Sequence, residues 1–242
     1  MIVLGIETAT TDVGAALVDE DRVLSALSAG AGRRHVETLH PMVAEACRLA
    51  GIDLKEIGAV AVDVGPGLFT GIRVGLAAAQ GFALALGVPV AGVTSLEALS
   101  AALRPASLAR AGVAAVVDLR RGEVAFSYCR PGAAAPGAPT RAGPDEAARH
   151  LAALAAEDSC VLVCCGDGAR SFRAELEDAA AAAGVELVFA SAGLAAPAAP
   201  VVAAEGLLKV LSGDVAGPGG PEPMYLREPD ARINWSPLHG GP

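Results

Sequence analysis

The sequence predicts an α/β protein built from two similar lobes, and three observations carry that prediction. The chain opens as a series of short apolar strands. Helical and strand patterns then alternate, as sheets covered by helices require. After a break at Arg104-Pro105-Ala106-Ser107 the strand-strand-helix pattern starts again. With 242 residues, 53% of them hydrophobic, the chain can bury the cores of two modest lobes. The first lobe is assigned to residues 1–106, with the C-terminal residues 217–242 returning to it, and the second to residues 107–216.

Ile2-Val3-Leu4-Gly5-Ile6 is a continuous apolar run, as a central strand buried on both faces requires. Thr8 to Asp12 supplies turn residues and Val13 to Val18 a second strand. Asp19-Glu20-Asp21 makes a tight acidic turn and Arg22 to Ser28 a third strand, so the chain opens as a meander. Residues 34–50 turn helical: Val36, Leu39, His40, Val43, Cys47 and Ala50 recur on one face, and Gly51 ends the helix. Ile57 to Val64 is a buried strand. Gly65-Pro66-Gly67-Leu68-Phe69-Thr70 is a loop, from which Thr70 is placed to cap a helix over 71–86. Pro89 to Val93 is a strand, and Ser95 to Leu103 a helix capped by Thr94 or Ser95.

In the second half, Val113 to Asp118 and Val124 to Tyr128 are strands about an Arg120-Arg121-Gly122 turn. Residues 131–144, rich in Pro, Gly and Ala, read as a loop. A helix over 145–156, a strand over 160–165 and a helix over 169–183 follow. Ala190 to Pro200 is of low complexity, Val201 to Leu211 is helical, and the tail after Gly213 is rich in Gly and Pro.

Composition narrows the function. Aromatics make up 3%, so the core rests on Ala, Val and Leu, which let backbones approach closely. The net charge is -9, from 18 basic and 27 acidic residues. A protein that grips RNA alone shows a basic face, because phosphate contact drives affinity; any RNA role here runs through a partner. The cysteines Cys47, Cys129, Cys160, Cys164 and Cys165 include no C-x-x-C and sit in apolar runs. They read as buried reduced thiols, not as disulfides or zinc ligands. No basic segment precedes the apolar opening, and no signal peptide is expected. Residues 74–96 carry no charge, but Gly87-Val88-Pro89 divides them into a helix and a strand, each too short for a bilayer. A cytoplasmic protein is expected.

The meander with Glu7-Thr8-Ala9-Thr10 at its first turn resembles the actin/Hsp70/sugar-kinase superfamily, whose lobes are ribonuclease-H-like. Within it, Gly65-Pro66-Gly67-Leu68-Phe69-Thr70-Gly71-Ile72-Arg73 resembles the signature of the TsaB (YeaZ) family. Arg34-His35, Asp118-Leu119-Arg120-Arg121-Gly122-Glu123-Val124 and Pro223-Met224-Tyr225-Leu226-Arg227 are similar to that family too. The resemblance is dense over residues 1–125, thin to about 215 and present again at 223–227. It implies a two-lobed actin-like fold and a part in placing a threonylcarbamoyl group on the adenosine beside the anticodon of tRNAs. It implies partners: the catalytic subunit TsaD and the ATPase TsaE, with tRNA met only through the complex. The motif residues are His35, Gly65, Pro66, Gly67, Thr70, Gly71 and Arg73.

Because TsaD is a paralogue, its sites can be sought here. Where TsaD-like proteins carry an H-x-x-x-H pair, whose i, i+4 spacing can hold one ion, this chain has Ser95 and Leu99, with Glu97 between them expected at the surface. His35 and His40 are off that spacing, so no metal site is expected. Actin-like ATPases cradle phosphates with glycine backbones. The second-lobe turn keeps only Gly122 beside Arg120 and Arg121, and the first loop carries Glu7 where an Asp is usual, so no bound nucleotide or other cofactor is expected. No G-x-S-x-G or H-E-x-x-H occurs.

The expectation is therefore a non-catalytic scaffold or activator subunit with no catalytic residue. The alternative is an enzyme of the same superfamily, a glycoprotease-like metallopeptidase or an ATP-dependent transferase. The Gly65-Pro66-Gly67 string serves first as a tight turn. The small residues of helix 71–86 allow a close helix approach. Gly75 and Ala79 on that helix, with Leu39 and Val43 on the neighbouring one, are assigned to the partner interface. Such a surface does not stay exposed in water, so the chain alone is expected to form a homodimer through it. Arg33 and Arg34 are read as a solvated helix start, and the tail around Tyr225 to Arg227 as the next choice of interface.

Overall fold

The structure, a computed structural model, describes residues 1–30, 32, 34–104, 110–217 and 219–226. Arg33, Pro105 to Ser107 of the expected lobe boundary, and Arg227 with the tail after it lie outside the described residues. The opening strands β1 (Ile2–Glu7), β2 (Asp12–Val18) and β3 (Val23–Gly30) form the meander. Its acidic turn closes on itself: Asp19 Oδ1 accepts the backbone N–H groups of Asp21 (2.9 Å) and Arg22 (2.8 Å). β1 also pairs in parallel with β4 (Ile57–Asp63), and β4 with β5 (Val90–Val93), in the order β3-β2-β1-β4-β5.

This sheet is apolar on both faces because both are covered. Helices α1 (His35–Ala50) and α2 (Phe69–Leu86) pack on one face, burying Leu39, Val43, Ile72 and Leu76 among Leu4, Ile6, Val60 and Val62. The other face is covered by α7 (Ala199–Ser212), whose Val202, Ala203 and Leu207 meet Val3, Ala59 and Ala61. That corrects the expected lobe boundary at residue 216: the last helix belongs to the first sheet. The close packing follows from small residues. A Cβ on Gly5 would run into Ala199 and Ala203 of α7, and one on Gly206 into Ala61 of β4.

The second sheet repeats the first. β6 (Ala111–Arg120), β7 (Glu123–Cys129) and β8 (Thr140–Ala142) form an antiparallel meander. β9 (Val161–Cys165) and β10 (Leu187–Phe189) add in parallel, giving β8-β7-β6-β9-β10, the same connectivity. α4 (Pro144–Glu157) and α6 (Arg173–Ala183) cover its outer face, with Leu151 and Leu176 over Phe126 and Leu162. α5 (Asp167–Ser171) packs against β6. The inner face is covered by α3 (Ser95–Ala101), which follows β5 in the chain and buries Leu96 and Leu99 against Val113, Val117 and Cys165.

Several elements differ from expectation. β8 lies inside the segment read as a loop, and β10 follows α6 where no strand was expected. The helix expected over 169–183 breaks at Phe172, whose φ of -117° and ψ of 40° are not helical. α2 starts at Phe69 with Leu68 in the cap position, so Thr70 lies within the first turn and caps nothing. Thr94 does cap α3: its side chain accepts from Glu97 N–H (3.1 Å) while Glu97 reaches back to Thr94 N–H (2.8 Å). Beyond α7 the chain lies along the first sheet, where Ala216 N–H donates to Val90 (2.9 Å) and Met224 N–H to Val64 (2.8 Å).

Candidate functional site

The Gly-Pro-Gly string packs on the first hairpin turn. Leu68 N–H donates to the Ala9 carbonyl (2.6 Å), and Thr8 Oγ1 donates to the Gly71 carbonyl (2.8 Å). A Cβ on Gly67 would run into the Ala9 carbonyl, one on Gly71 into the Thr8 carbonyl, and one on Gly75 into Thr8 Oγ1. The three glycines thus let the start of α2 lie against the turn between β1 and β2. The cis Gly65-Pro66 bond shapes the same loop. His35, buried at the start of α1, brings Nε2 within 2.8 Å of the Thr10 carbonyl. His40 instead lies exposed with its ring 5.5 Å from that of Phe82.

Two carboxylates are buried beneath this turn at the ends of adjacent strands, Glu7 on β1 and Asp63 on β4. Glu7 Oε1 accepts from Thr10 N–H (3.0 Å) and its hydroxyl (3.2 Å). Asp63 accepts from Gly65 N–H (2.8 Å) and from the Ser95 hydroxyl (2.8 and 2.9 Å). Burial pushes both carboxyls up, Asp63 to about 7, and for Glu7 the neighbouring Asp63 adds to the effect of burial. Ser95 is thus engaged by Asp63, and Leu99 is 1% exposed in the core between the sheets. Glu97, expected at the surface alone, is held by the capping box and an ion pair with Lys209 (3.2 Å).

Among the described residues, no group of three or more His, Cys, Asp or Glu side chains is placed to hold a metal ion. In the second lobe, the turn at the end of β6 has Arg120 (φ 68°), Arg121 (φ 56°) and Gly122 (φ 76°) in the left-handed region. Arg120 folds back on Asp118 (2.9 Å) and faces Asp167 (3.9 Å). At this turn the Arg120 guanidinium is therefore tied to local carboxylates. The cysteines Cys164 and Cys165 are buried, and burial raises the Cys165 thiol to about 12.

A further concave surface lies elsewhere, in a groove of about 720 Å³ between the outer sides of α1 and α2. Val36 and His40 form one wall, Val74, Ala77, Gly81 and Phe82 the other, and Phe69 and Arg73 close one end. Val36 is 61% exposed. Expected to be too short for a bilayer, α2 in fact has 18 residues and a mean hydropathy of 1.4, long and apolar enough by length and composition alone to cross one. Its inner stripe, including Gly71, Ile72, Gly75, Leu76 and Ala79, is buried in the lobe, so its apolar outer side is what remains uncovered.

All four residues assigned to the partner interface turn inward, which corrects that assignment. Leu39 and Ala79 are fully buried, Val43 is 2% exposed, and Gly75 is pressed against Thr8 and Val62. Of the four, only Leu39 reaches the groove, as part of its floor. The exposed small residues are Ala77, Gly81 and Ala85, on the opposite side of α2. Sequence reasoning missed them because small residues occur on both sides of the helix. The available signal was that Phe82 and Ala85 share a helix side with Ala78 and Gly81.

Motif residue Arg73 belongs to a stack at the groove's end. Its guanidinium carbon lies 3.7 Å from the centre of the Phe69 ring, and its Nε donates to the Tyr225 hydroxyl (3.0 Å). Tyr225 in turn packs on Phe69, ring centres 4.9 Å apart. The loop signature and the C-terminal motif, far apart in sequence, thus meet at one end of the groove.

Comparison with known proteins places these features. The family model described as TsaD, tRNA N6-adenosine threonylcarbamoyltransferase, matches residues 29–134. An uncharacterized protein of Mycobacterium leprae is 39% identical over 154 residues, 60% of this chain and 41% of its own length. The tRNA threonylcarbamoyladenosine biosynthesis protein TsaB of Escherichia coli K12 is 38% identical over 125 residues, 51% of this chain and 53% of its own. In these matches the chain spans about two fifths to half the length of the curated relatives. Among solved structures, YeaZ from Pseudomonas aeruginosa superposes with a TM-score of 0.75 at 26% identity, covering 93% of this chain and 99% of that one. The ROK hexokinase of Thermus thermophilus, with a TM-score of 0.52 at 17% identity over 87% of this chain and 100% of its own, shares the fold alone. The two-lobed architecture is that of the actin-like and sugar-kinase proteins.

Proposed function

We propose, from the premise that the chain belongs to the TsaB (YeaZ) family of tRNA threonylcarbamoyladenosine biosynthesis, that it is a non-catalytic scaffold or activator subunit. Its partner is a TsaD-type catalytic subunit and, with it, a TsaE-type ATPase; tRNA is met only through that complex, in the cytoplasm. The observation that carries this reading is the open apolar groove between α1 and α2. An exposed apolar groove between helices fits an interaction site. A trough between two helices accepts further helices by ridges-into-grooves packing. Without the partner, a second copy of the chain covers the same surface. The -9 net charge supports indirect contact with tRNA.

The transferase family match over residues 29–134 favours a second reading, an ATP-dependent transferase or a glycoprotease-like metallopeptidase. Against it stand Ser95 bound to Asp63, the buried Leu99, and the arginines in the second hairpin. Light scattering of the chain alone and mixed with TsaD- and TsaE-type subunits of the same organism tests the first reading. A dimer alone and a joint complex are expected. A chain that stays monomeric at high concentration and ignores the TsaD-type subunit overturns it. Micromolar ATP binding by calorimetry, or stoichiometric metal by elemental analysis, establishes the second.

A further inference from the structure

Among the described residues, Arg73 is the only side chain of permanent charge that lines the groove. It is exposed, yet it is held in place: its guanidinium stacks on Phe69 at 3.7 Å, and its Nε is committed to the Tyr225 hydroxyl at 3.0 Å. Among the described residues no carboxylate forms an ion pair with it. Other arginines do pair with carboxylates: Arg48 with Glu45, Arg104 with Glu205, Arg120 with Asp118, Arg130 with Asp158 and Arg173 with Glu177. With Nε engaged, the two terminal nitrogens remain as a fork, whose geometry matches a carboxylate end-on.

We propose that Arg73 is the specificity-determining contact of the groove: a partner helix lays its apolar side on Ala77 and Gly81 and places an Asp or Glu carboxylate on the Arg73 fork. This deepens, and rests on, the reading of the groove as a subunit interface. Charge complementarity argues for it. The groove otherwise offers only apolar contact, which sets affinity but does not distinguish one apolar helix from another. A fixed guanidinium at its end selects a helix with an acidic residue in one register and rejects a basic one. Stacking and the Tyr225 bond have already restricted the side chain, so less conformational entropy is lost when the partner arrives. Phe69 and Tyr225 are positioning residues for that fork, and through Tyr225 the C-terminal motif serves the interface. A phosphate is the weaker candidate, since one cation beside an apolar trough on a chain of net charge -9 makes no nucleic-acid track.

The test measures binding of the TsaD-type subunit to the full chain across a salt series. Arg73→Glu is expected to weaken binding on the order of tenfold or more, and to remove its salt dependence or reverse it. Arg73→Lys keeps the charge but loses the fork, and should fall between the two. Tyr225→Phe leaves the ring stack and removes the Nε bond, so it should weaken binding less and retain salt dependence. Gly81→Trp fills the groove itself: a Cβ there has no atom within 4 Å, so the chain should stay folded and lose binding. If Gly81→Trp abolishes binding while Arg73→Glu changes it by less than twofold, the role of Arg73 is wrong and the groove stands. If Gly81→Trp binds as the parent does, the groove reading fails and this inference with it. If Arg73→Glu spares the protein complex and lowers only tRNA crosslinking, the ligand of Arg73 is phosphate and the proposal is overturned.

Discussion

Gly71 and Gly81 are the same residue in the same helix with opposite environments. A Cβ at 71 would strike the Thr8 carbonyl, which belongs to a turn held by Thr8 Oγ1 and Leu68 N–H. A Cβ at 81 would meet nothing within 4 Å. Gly71→Ala should therefore destabilise the fold by about 1–3 kcal/mol, the range for forcing atoms into a packed site. Gly81→Ala should stabilise the isolated chain by up to about 1 kcal/mol through helix propensity. Urea denaturation of the two variants checks both signs; equal effects would remove the distinction between the two sides of α2. At Asp63 the argument is electrostatic. A carboxyl whose folded pKa is raised binds more protons folded than unfolded, so its effect on stability worsens as pH rises from about 4 toward 7 and stays unfavourable above. Glu7, shifted in the same direction, adds to this. Asp63→Asn should flatten the fall in melting temperature over that window and raise it at pH 8, by roughly 2–4 °C per kcal/mol relieved. A variant with an unchanged pH profile would show that the pair is not the source.

At the scale of the element, the helix α2 shows what was legible in the sequence and what was not. Its existence, its start after the Gly-Pro-Gly loop and its richness in small residues were all readable. Which side turned inward was not. A row of Gly and Ala serves equally well to press a helix on a sheet or to admit a second helix, and α2 does one on each side. Positions two apart on a helix point nearly opposite ways, so reading Gly75 and Ala79 as the outer row reversed it. The same ambiguity hid the place of α7, whose Ala203 and Gly206 gave no hint that they meet Gly5 and Ala61 of the first sheet. β8 and β10 were missed because three-residue edge strands carry too little periodicity to register. Asp63 was not singled out, since nothing in the sequence shows that Ser95 is brought beside it. The corrected helix gives a paired prediction. Ala79→Trp should unfold the lobe, because Ala79 is fully buried against the sheet. Ala77→Trp, on the exposed side, should leave the circular dichroism spectrum unchanged and abolish assembly. The reverse pattern would return the interface to the side first assigned.

At the scale of the molecule, the two lobes share the same strand order yet are not independent, because each relies on a helix from elsewhere in the chain. The first sheet needs α7, which arrives only after the whole second lobe has been made. Without it Val3, Val18, Ala59, Ala61 and Val93 would face water on one side of the sheet. The second sheet needs α3, the helix that follows the first sheet's last strand, to cover Val113, Val117, Ala125 and Cys165. Arg104 ties the end of α3 to Glu205 of α7 and to the Ala134 carbonyl of the second lobe, so the borrowed helices are joined to each other as well. The lobes should therefore melt together, in one calorimetric transition, although duplicated architecture suggests two. A fragment of residues 1–104 should fail to fold or aggregate, since it exposes a strip of apolar sheet with unsatisfied packing. Supplying residues 199–226 to that fragment, through a short flexible linker after Arg104, should restore a soluble species with native-like near-ultraviolet dichroism, since the helix and the segment that bonds to Val64 and Val90 return together. A fragment of residues 1–104 that folds cooperatively on its own would show that α7 is dispensable and that the first lobe's stability resides on the α1/α2 side of its sheet.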